Sequence, residues 1–396
     1  MKHKKHQTIC SILMLMSLLV TSIGVSLQPV YAENRSDKTN YVAFGDSIAA
    51  GYGLDGYSDD QTAAPGDSYQ ALVASFLHTQ SANYAITGDN SDDCMELLHS
   101  GKADADLANA DIITLSIGSN DLLLPFIQIL LDFFEINPET LDPSAIPEQL
   151  KTGFPLPQID VTKMAEYYEK AEELLTLLSD NETLHAQTAA FPEKFQTIVS
   201  ILHDKAPDAE IYATNIYNPF VTIPKIGELA DIYIQEMNKA FSKNASGYTL
   251  IDVYTPFYEK QLTNVNIDFK QPYDFRLDPH PSVQGHAKIA NLIIRACKQA
   301  HAPKAAELRK LSTSSKQTLT VKATLPADAD GYQVLYAAKK NGSYQQLGTS
   351  DNTTFRTNSK KLKAKKTYYV KLRSYKVIKG VTYYGADSPA KKITIK

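Results

Sequence analysis

Between residues 41 and 253, short apolar runs alternate with longer stretches in which apolar positions recur every three or four residues. The runs at 41–44, 83–86, 111–117, 210–215 and 248–253 have strand length, and turn-forming residues flank them. The third run, from Asp111 to Ile117, is nearly continuous, as in a strand covered on both faces. Helical spacing fills the intervals. It is clearest at 68–77, where Tyr69, Leu72, Val73, Phe76 and Leu77 share a face, and it returns at 94–99, 191–202, 227–241 and 286–300. Strands alternating with helices predict an α/β domain, a parallel sheet with helices on both faces. Residues 53–66, rich in Gly, Asp and Pro, read as a loop.

Three stretches depart from that rhythm. Residues 122–136 form an apolar helix with Pro125 in its first turn, relieved only by a narrow polar stripe of Gln128, Asp132 and Glu135. A Pro-rich mobile connection at 137–157 and an amphipathic helix at 160–178 follow, so that about 122–184 is an insertion. A polar connector at 301–315 precedes β-type alternation at 319–321, 332–336, 368–372 and 393–395, which predicts a sandwich. Residues 1–32, with a basic start, an apolar run and Val30-Tyr31-Ala32, read as a secretory signal peptide cleaved after Ala32. The expected layout is 1–32 signal peptide, 33–305 α/β domain and 306–396 β module.

Composition adds one asymmetry. The formal net charge is only -4, yet residues 311–396 carry 17 Lys and Arg against 4 Asp, and residues 33–310 carry 20 against 40 Asp and Glu. Lys360, Lys361, Lys363, Lys365, Lys366, Lys371, Arg373, Lys376 and Lys379 crowd one stretch. An anionic cell-wall polymer or membrane surface is the expected partner, with a solvated basic spacer as the alternative; for an exported chain no nucleic acid is expected. Cys94 and Cys297 show no metal-ligand spacing and read as core residues, their pairing left open.

In an α/β sheet, sites lie beyond the carboxyl ends of the strands. Ser47, Gly88 and Asn120 each follow a predicted strand, and His280 stands between Pro279 and Pro281 before the last helix. Acyl transfer needs a hydroxyl, a base and donors aimed at the oxyanion. Ser47 is the candidate nucleophile and His280 the base. The backbone N–H groups of Ser47 and Gly88 and the side-chain amide of Asn120 are the oxyanion donors.

These residues resemble the GDSL-type SGNH hydrolases, whose four blocks supply Ser, Gly, Asn and His in that order. The blocks here are Phe44-Gly45-Asp46-Ser47, Gly88, Gly118-Ser119-Asn120-Asp121 and His280-Pro281, and Tyr217-Asn218-Pro219-Phe220 and Gly285-His286 also look like the bacterial branch. The resemblance covers about 40–300 and implies a flavodoxin-like three-layer fold and esterase or lipase activity, with no cofactor. The family's Asp three residues before the His falls on Leu277. Asp278, Asp274 or a backbone carbonyl is left to orient the ring, and Asp278 is the candidate third member. Residues 313–396, through Leu362 to Tyr368, resemble a fibronectin type III domain, without its core Trp.

The helix after Asn120 is expected to form an acyl-chain wall or lid, with Phe126, Leu130, Phe133 and Phe134 facing substrate; a core helix under the insertion is the alternative. A metal site of Asp46, Asp121, Asp278 and His280 for phosphoester cleavage would leave Gly88 and Asn120 without a role, so no metal is expected. The expected function is a secreted serine esterase or lipase. An O-acetyl esterase of wall polysaccharide and a silent wall-binding protein are the competing readings.

Overall fold

The computed structural model describes residues 38–58, 63–133, 164–223, 225–241, 247–271 and 274–396. The expected signal peptide, the connection at 137–157 and Phe134 lie outside them. The chain forms two compact units, Thr39–Ile293 and Ile294–Lys396, the latter also taking Lys38, and the boundary falls inside the helix Val283–His301.

In the first unit β1 (Tyr41–Gly45) leads into α1 (Ser47–Ala50) and α2 (Tyr69–Phe76). Then come β2 (Ser81–Ala85), α3 (Ser91–His99), α4 (Asp104–Leu107), β3 (Ile112–Ser116) and α5 (Ser119–Phe133). Beyond these are α6 (Met164–Ser179), α7 (Glu182–Lys205), β4 (Glu210–Thr214), α8 (Ile226–Asn238), β5 (Thr249–Ile251), α9 (Tyr254–Glu259) and α10 (Gln261–Asn264). A hairpin of β6 (Val265–Gln271) and β7 (Asp274–Pro281) precedes α11 (Val283–His301). The sheet order is β2-β1-β3-β4-β5 and every pairing is parallel, the flavodoxin-like order.

Strand alternation explains the layers. Val42, Phe44, Ile113, Leu115 and Ile211 face a core closed by Cys94 and Leu98 of α3, Phe191, Phe195 and Leu202 of α7, and Met237 of α8. Tyr41, Ala43, Ile112 and Tyr212, which alternate with them, are buried as well, so both faces are covered. Side-chain caps set the helix starts: Ser68 Oγ accepts from Ala71 N (3.1 Å), and Asn90 and Asp93 form a capping box on α3. Asn181 caps α7, accepting from Thr183 N (3.0 Å) and Leu184 N (3.1 Å). That cap starts the helix well before the expected 191, and Pro192 lies inside it. The β6–β7 hairpin is not among the expected strands, although Val265-Asn266-Ile267-Asp268-Phe269-Lys270 and Asp274-Phe275-Arg276-Leu277-Asp278 alternate apolar and polar residues with the period of a strand.

In the second unit β8 (Glu307–Ser312), β9 (Thr318–Thr324) and β12 (Thr354–Asn358) form one sheet. The other contains β10 (Gly331–Ala337), β11 (Gln345–Ser350), β13 (Thr367–Ile378), β14 (Val381–Asp387) and β15 (Lys391–Thr394). All pairings are antiparallel, and one core joins Leu319 and Val321 to Tyr332, Val334, Val370 and Leu372. Strand β8 corrects the expected connector at 301–315: its side chains are mostly exposed, so no apolar alternation marks it. Lys363 N donates to Tyr368 Oη (3.0 Å), and Leu362 beneath that corner is fully buried. Cys94 and Cys297 are both buried and are not joined in a disulfide.

Candidate active site

The site begins where β1 stops. Gly45 has φ +152°, and a Cβ there would stand 2.3 Å from the Ser116 carbonyl oxygen, so the turn out of β1 requires glycine. Asp46 then caps α1: its Oδ1 accepts from Ile48 N at 2.9 Å. Ser47 follows as the first helical residue, 7% exposed.

The imidazole comes from the end of the hairpin. His280 Nε2 lies 2.9 Å from Ser47 Oγ, and Nδ1 lies 2.6 Å from Asp278 Oδ1, which also accepts from His280 N (3.0 Å). Leu277, at the usual family position of the acid, occupies the ladder place opposite Ile267, and the carboxylate that reaches the ring is the next residue, Asp278. Tyr217, just beyond β4, donates its hydroxyl to the Pro279 carbonyl at 2.7 Å, and the Tyr52 ring lies 4.6 Å from the imidazole. Asn266 Nδ2 donates to Asp278 Oδ2 at 3.4 Å and to the Pro281 carbonyl at 3.2 Å. Tyr217 lies in the Tyr217–Phe220 stretch that the sequence already marks after the fourth strand, though not as a support for the histidine loop; Tyr52 and Asn266 carry no such sequence mark.

The ends of β2 and β3 supply the candidate donors. Gly88 has φ +92° with open space where a Cβ would be. Asn120 is buried, and its Nδ2 donates to the Asp89 carbonyl at 2.8 Å, which joins the two loops. An amide nitrogen carries two hydrogens, so one remains for a developing oxyanion. Asp121 accepts from Ser91 N (2.9 Å) and from Ser91 Oγ, fixing the start of α5 to the start of α3.

Charge beneath the site is suppressed by burial. Desolvation pushes the Asp46 carboxyl up to about 7, partly opposed by its bond from Ile48 and by His280, and its Oδ2 has no hydrogen-bond partner. Burial, followed by repulsion from Asp93 and Asp46, pushes Asp89 up to about 8. His286 is driven down to about 3 by burial, and as a neutral ring it accepts from Tyr69 N (3.3 Å) through Nδ1. No group of three or more His, Cys, Asp or Glu suited to a metal occurs among the described residues.

Ser47, Ser119, Asn120 and His280 line a cleft of about 740 Å³, including its open mouth. Leu122, Leu123 and Phe126 of α5 line it too, whereas half-buried Phe133 and Gly88 do not. The side chain of Leu130 lies outside the described residues.

Residues 43–288, a stretch that contains all of these groups from Ser47 to His280, match the GDSL-like Lipase/Acylhydrolase family. The chain belongs to that family. A GDSL-like chain of this length has a similar protein in Bacillus subtilis (strain 168), the uncharacterized protein YpmR, 21% identical over 313 residues that cover 75% of this chain and 97% of YpmR. Among solved structures, phospholipase A1 from Streptomyces albidoflavus NA297 aligns at TM-score 0.42 and 16% identity, over 66% of this chain and 99% of that one. The lipase Lip_vut3 from a goat rumen metagenome aligns at TM-score 0.41 and 19% identity, over 65% and 97%.

Proposed function

We propose that this GDSL-like protein is a secreted serine hydrolase that cleaves carboxylic esters through an acyl-enzyme. The observation that carries the reading is the unbroken chain Asp278–His280–Ser47, with contacts of 2.6 and 2.9 Å. Ser47 Oγ attacks the ester carbonyl while His280 Nε2 takes its proton, and the same proton passes to the leaving alcohol. Water, deprotonated by His280, then releases the acid and restores Ser47. Asp278 holds the imidazole in the tautomer with hydrogen on Nδ1 and stabilises its cationic form. The N–H groups of Ser47 and Gly88 and the free hydrogen of Asn120 receive the oxyanion. The intact chain and the apolar cleft weigh against a silent wall-binding protein and against acetyl removal from a glycan.

The β module is read as fibronectin type III-like, supported by the Tyr368 corner. Its exposed Lys360, Lys361, Lys363, Lys365 and Lys366 make an anionic wall polymer or membrane surface its partner. Lys371 and Arg373 fall outside that surface, because both pair with Asp387. Retention on isolated walls should weaken as salt rises; retention indifferent to salt contradicts the electrostatic reading. The catalytic reading is tested with a fluorophosphonate probe, which should label the wild type and leave Ser47→Ala unlabelled. Equal labelling of both would overturn it.

A further inference from the structure

We propose that the cleft beside Ser47 receives the acid part of the ester as an extended hydrocarbon chain, and that the Tyr233 hydroxyl positions the wall that sets its length. This rests on the ester-hydrolase reading above. The tetrahedral carbon bears the oxyanion, the acyl chain and the leaving alkoxide; the alkoxide must reach His280 Nε2 to be protonated, so the acyl chain takes the other direction, along what continues from the Asn120 donor. Here that continuation is α5, which starts beside Asn120 and lines the cleft with Phe126, whose ring faces Phe220 at 6.3 Å across the same cleft.

The opposing wall is brought in from far along the sequence. Leu178 at the end of α6 and Leu184 at the start of α7 are fully buried and line the cleft together with Ala230 and Tyr233 of α8. Tyr233 is the polar side chain among the described residues of this wall, and its hydroxyl is already committed. It donates to the Leu178 carbonyl at 2.7 Å, with the Ser179 carbonyl at 3.2 Å and His185 Nε2 at 3.4 Å. The hydroxyl thus ties the α6–α7 turn to α8, while the Asn181 cap fixes how that turn enters α7. Among the described residues of this wall no side-chain donor is left uncommitted, and a polar acyl group would be desolvated with little compensation. A methylene gains on entering, by about fourfold in binding for each one buried.

The test uses the purified full chain with p-nitrophenyl esters from acetyl to dodecanoyl, and a parallel series of alkyl acetates in which only the alcohol lengthens. Wild-type kcat/KM should rise from acetyl to octanoyl by about four-thousandfold if all six added methylenes are buried, and by at least about a hundredfold if only some are, and should change much less along the alkyl acetates. Ala230→Phe should lower the octanoyl-to-acetyl ratio at least tenfold, and Phe126→Ala, which adds room, should move the optimum to longer chains. Tyr233→Phe should raise KM for octanoyl over acetyl esters with kcat little changed. A Ser47-dependent activity that is flat along the acyl series, or variants that scale all chain lengths equally, would overturn the proposal and leave the hydrolase reading standing. Calorimetric titration of Ser47→Ala with octanoate and acetate separates the opposite case. Octanoate binding that Ala230→Phe abolishes, in a chain that cleaves no ester, would support the cleft and overturn the hydrolase reading, whereas equal weak binding of both acids would overturn the cleft.

Discussion

The two ends of the cleft are built in different ways. At the polar end each group sits on or just beyond a strand terminus, where bonds to main-chain carbonyls fix the chain: Asp46 N donates to Ser116 O, Asn120 Nδ2 to Asp89 O and Tyr217 Oη to Pro279 O. The helical wall comes from α5, α6, α7 and α8, whose shared surface exists only after they pack. The polar end is therefore rigid through backbone geometry and intolerant of small changes. The wall rests on side-chain packing, in which volume can be exchanged more gradually.

That contrast yields a graded set of outcomes. Ser47→Ala and His280→Ala should each lower kcat/KM by about ten-thousandfold or more with little change in Tm. Asp278→Asn should cost about a hundredfold to ten-thousandfold, mainly in kcat, because the ring loses its orienting acceptor. Retention of nearly full kcat by Asp278→Asn would detach that carboxylate from the relay. Gly45→Ala should destabilise the fold by about 3 kcal/mol or more in denaturant titration, since it combines an unfavourable φ with a Cβ in contact with Ser116.

Asp46 sharpens the comparison through pH. Its carboxyl is raised to about 7 from 3.8, so between those values the folded chain holds a proton that the unfolded chain releases. Its contribution to stability is therefore full below the unfolded value and is lost as pH rises through 7. Asp46→Asn keeps the cap oxygen and removes the charge. It should be more stable than wild type at pH 8 by roughly 1–4 kcal/mol and equal to it below pH 4, as read from urea midpoints. A difference that grew toward low pH would contradict the sign. The smallest effect belongs to Tyr217→Phe, which removes the bond to the Pro279 carbonyl. It should cost about 1 kcal/mol of stability and a few-fold in kcat.

The same division explains what could be read from the sequence. The five strands and their parallel direction followed from the alternation of strand and helix periods, while their order in the sheet rested on the family resemblance; Ser47, Gly88, Asn120 and His280 stood out because each adjoins a strand end or is held between prolines. Asp278 was ambiguous for a topological reason: the alternation in Val265–Lys270 and Asp274–Asp278 marks two strands, but which carboxylate meets the imidazole is set by how they pair, and local period does not show that. Leu178, Leu184, Ala230 and Tyr233 carried no mark at all, because helical periodicity shows that a face is apolar and not which faces meet. The edge strand β8 was unreadable through its exposure.

The central claim is covalent, and trapping tests it most directly. A p-nitrophenyl octanoate reaction quenched in acid within the first turnover should leave one octanoyl group on the peptide containing Ser47, found by peptide mass spectrometry and absent from Ser47→Ala. An octanoyl group on another residue, or ester turnover by Ser47→Ala at the wild-type rate, would contradict it.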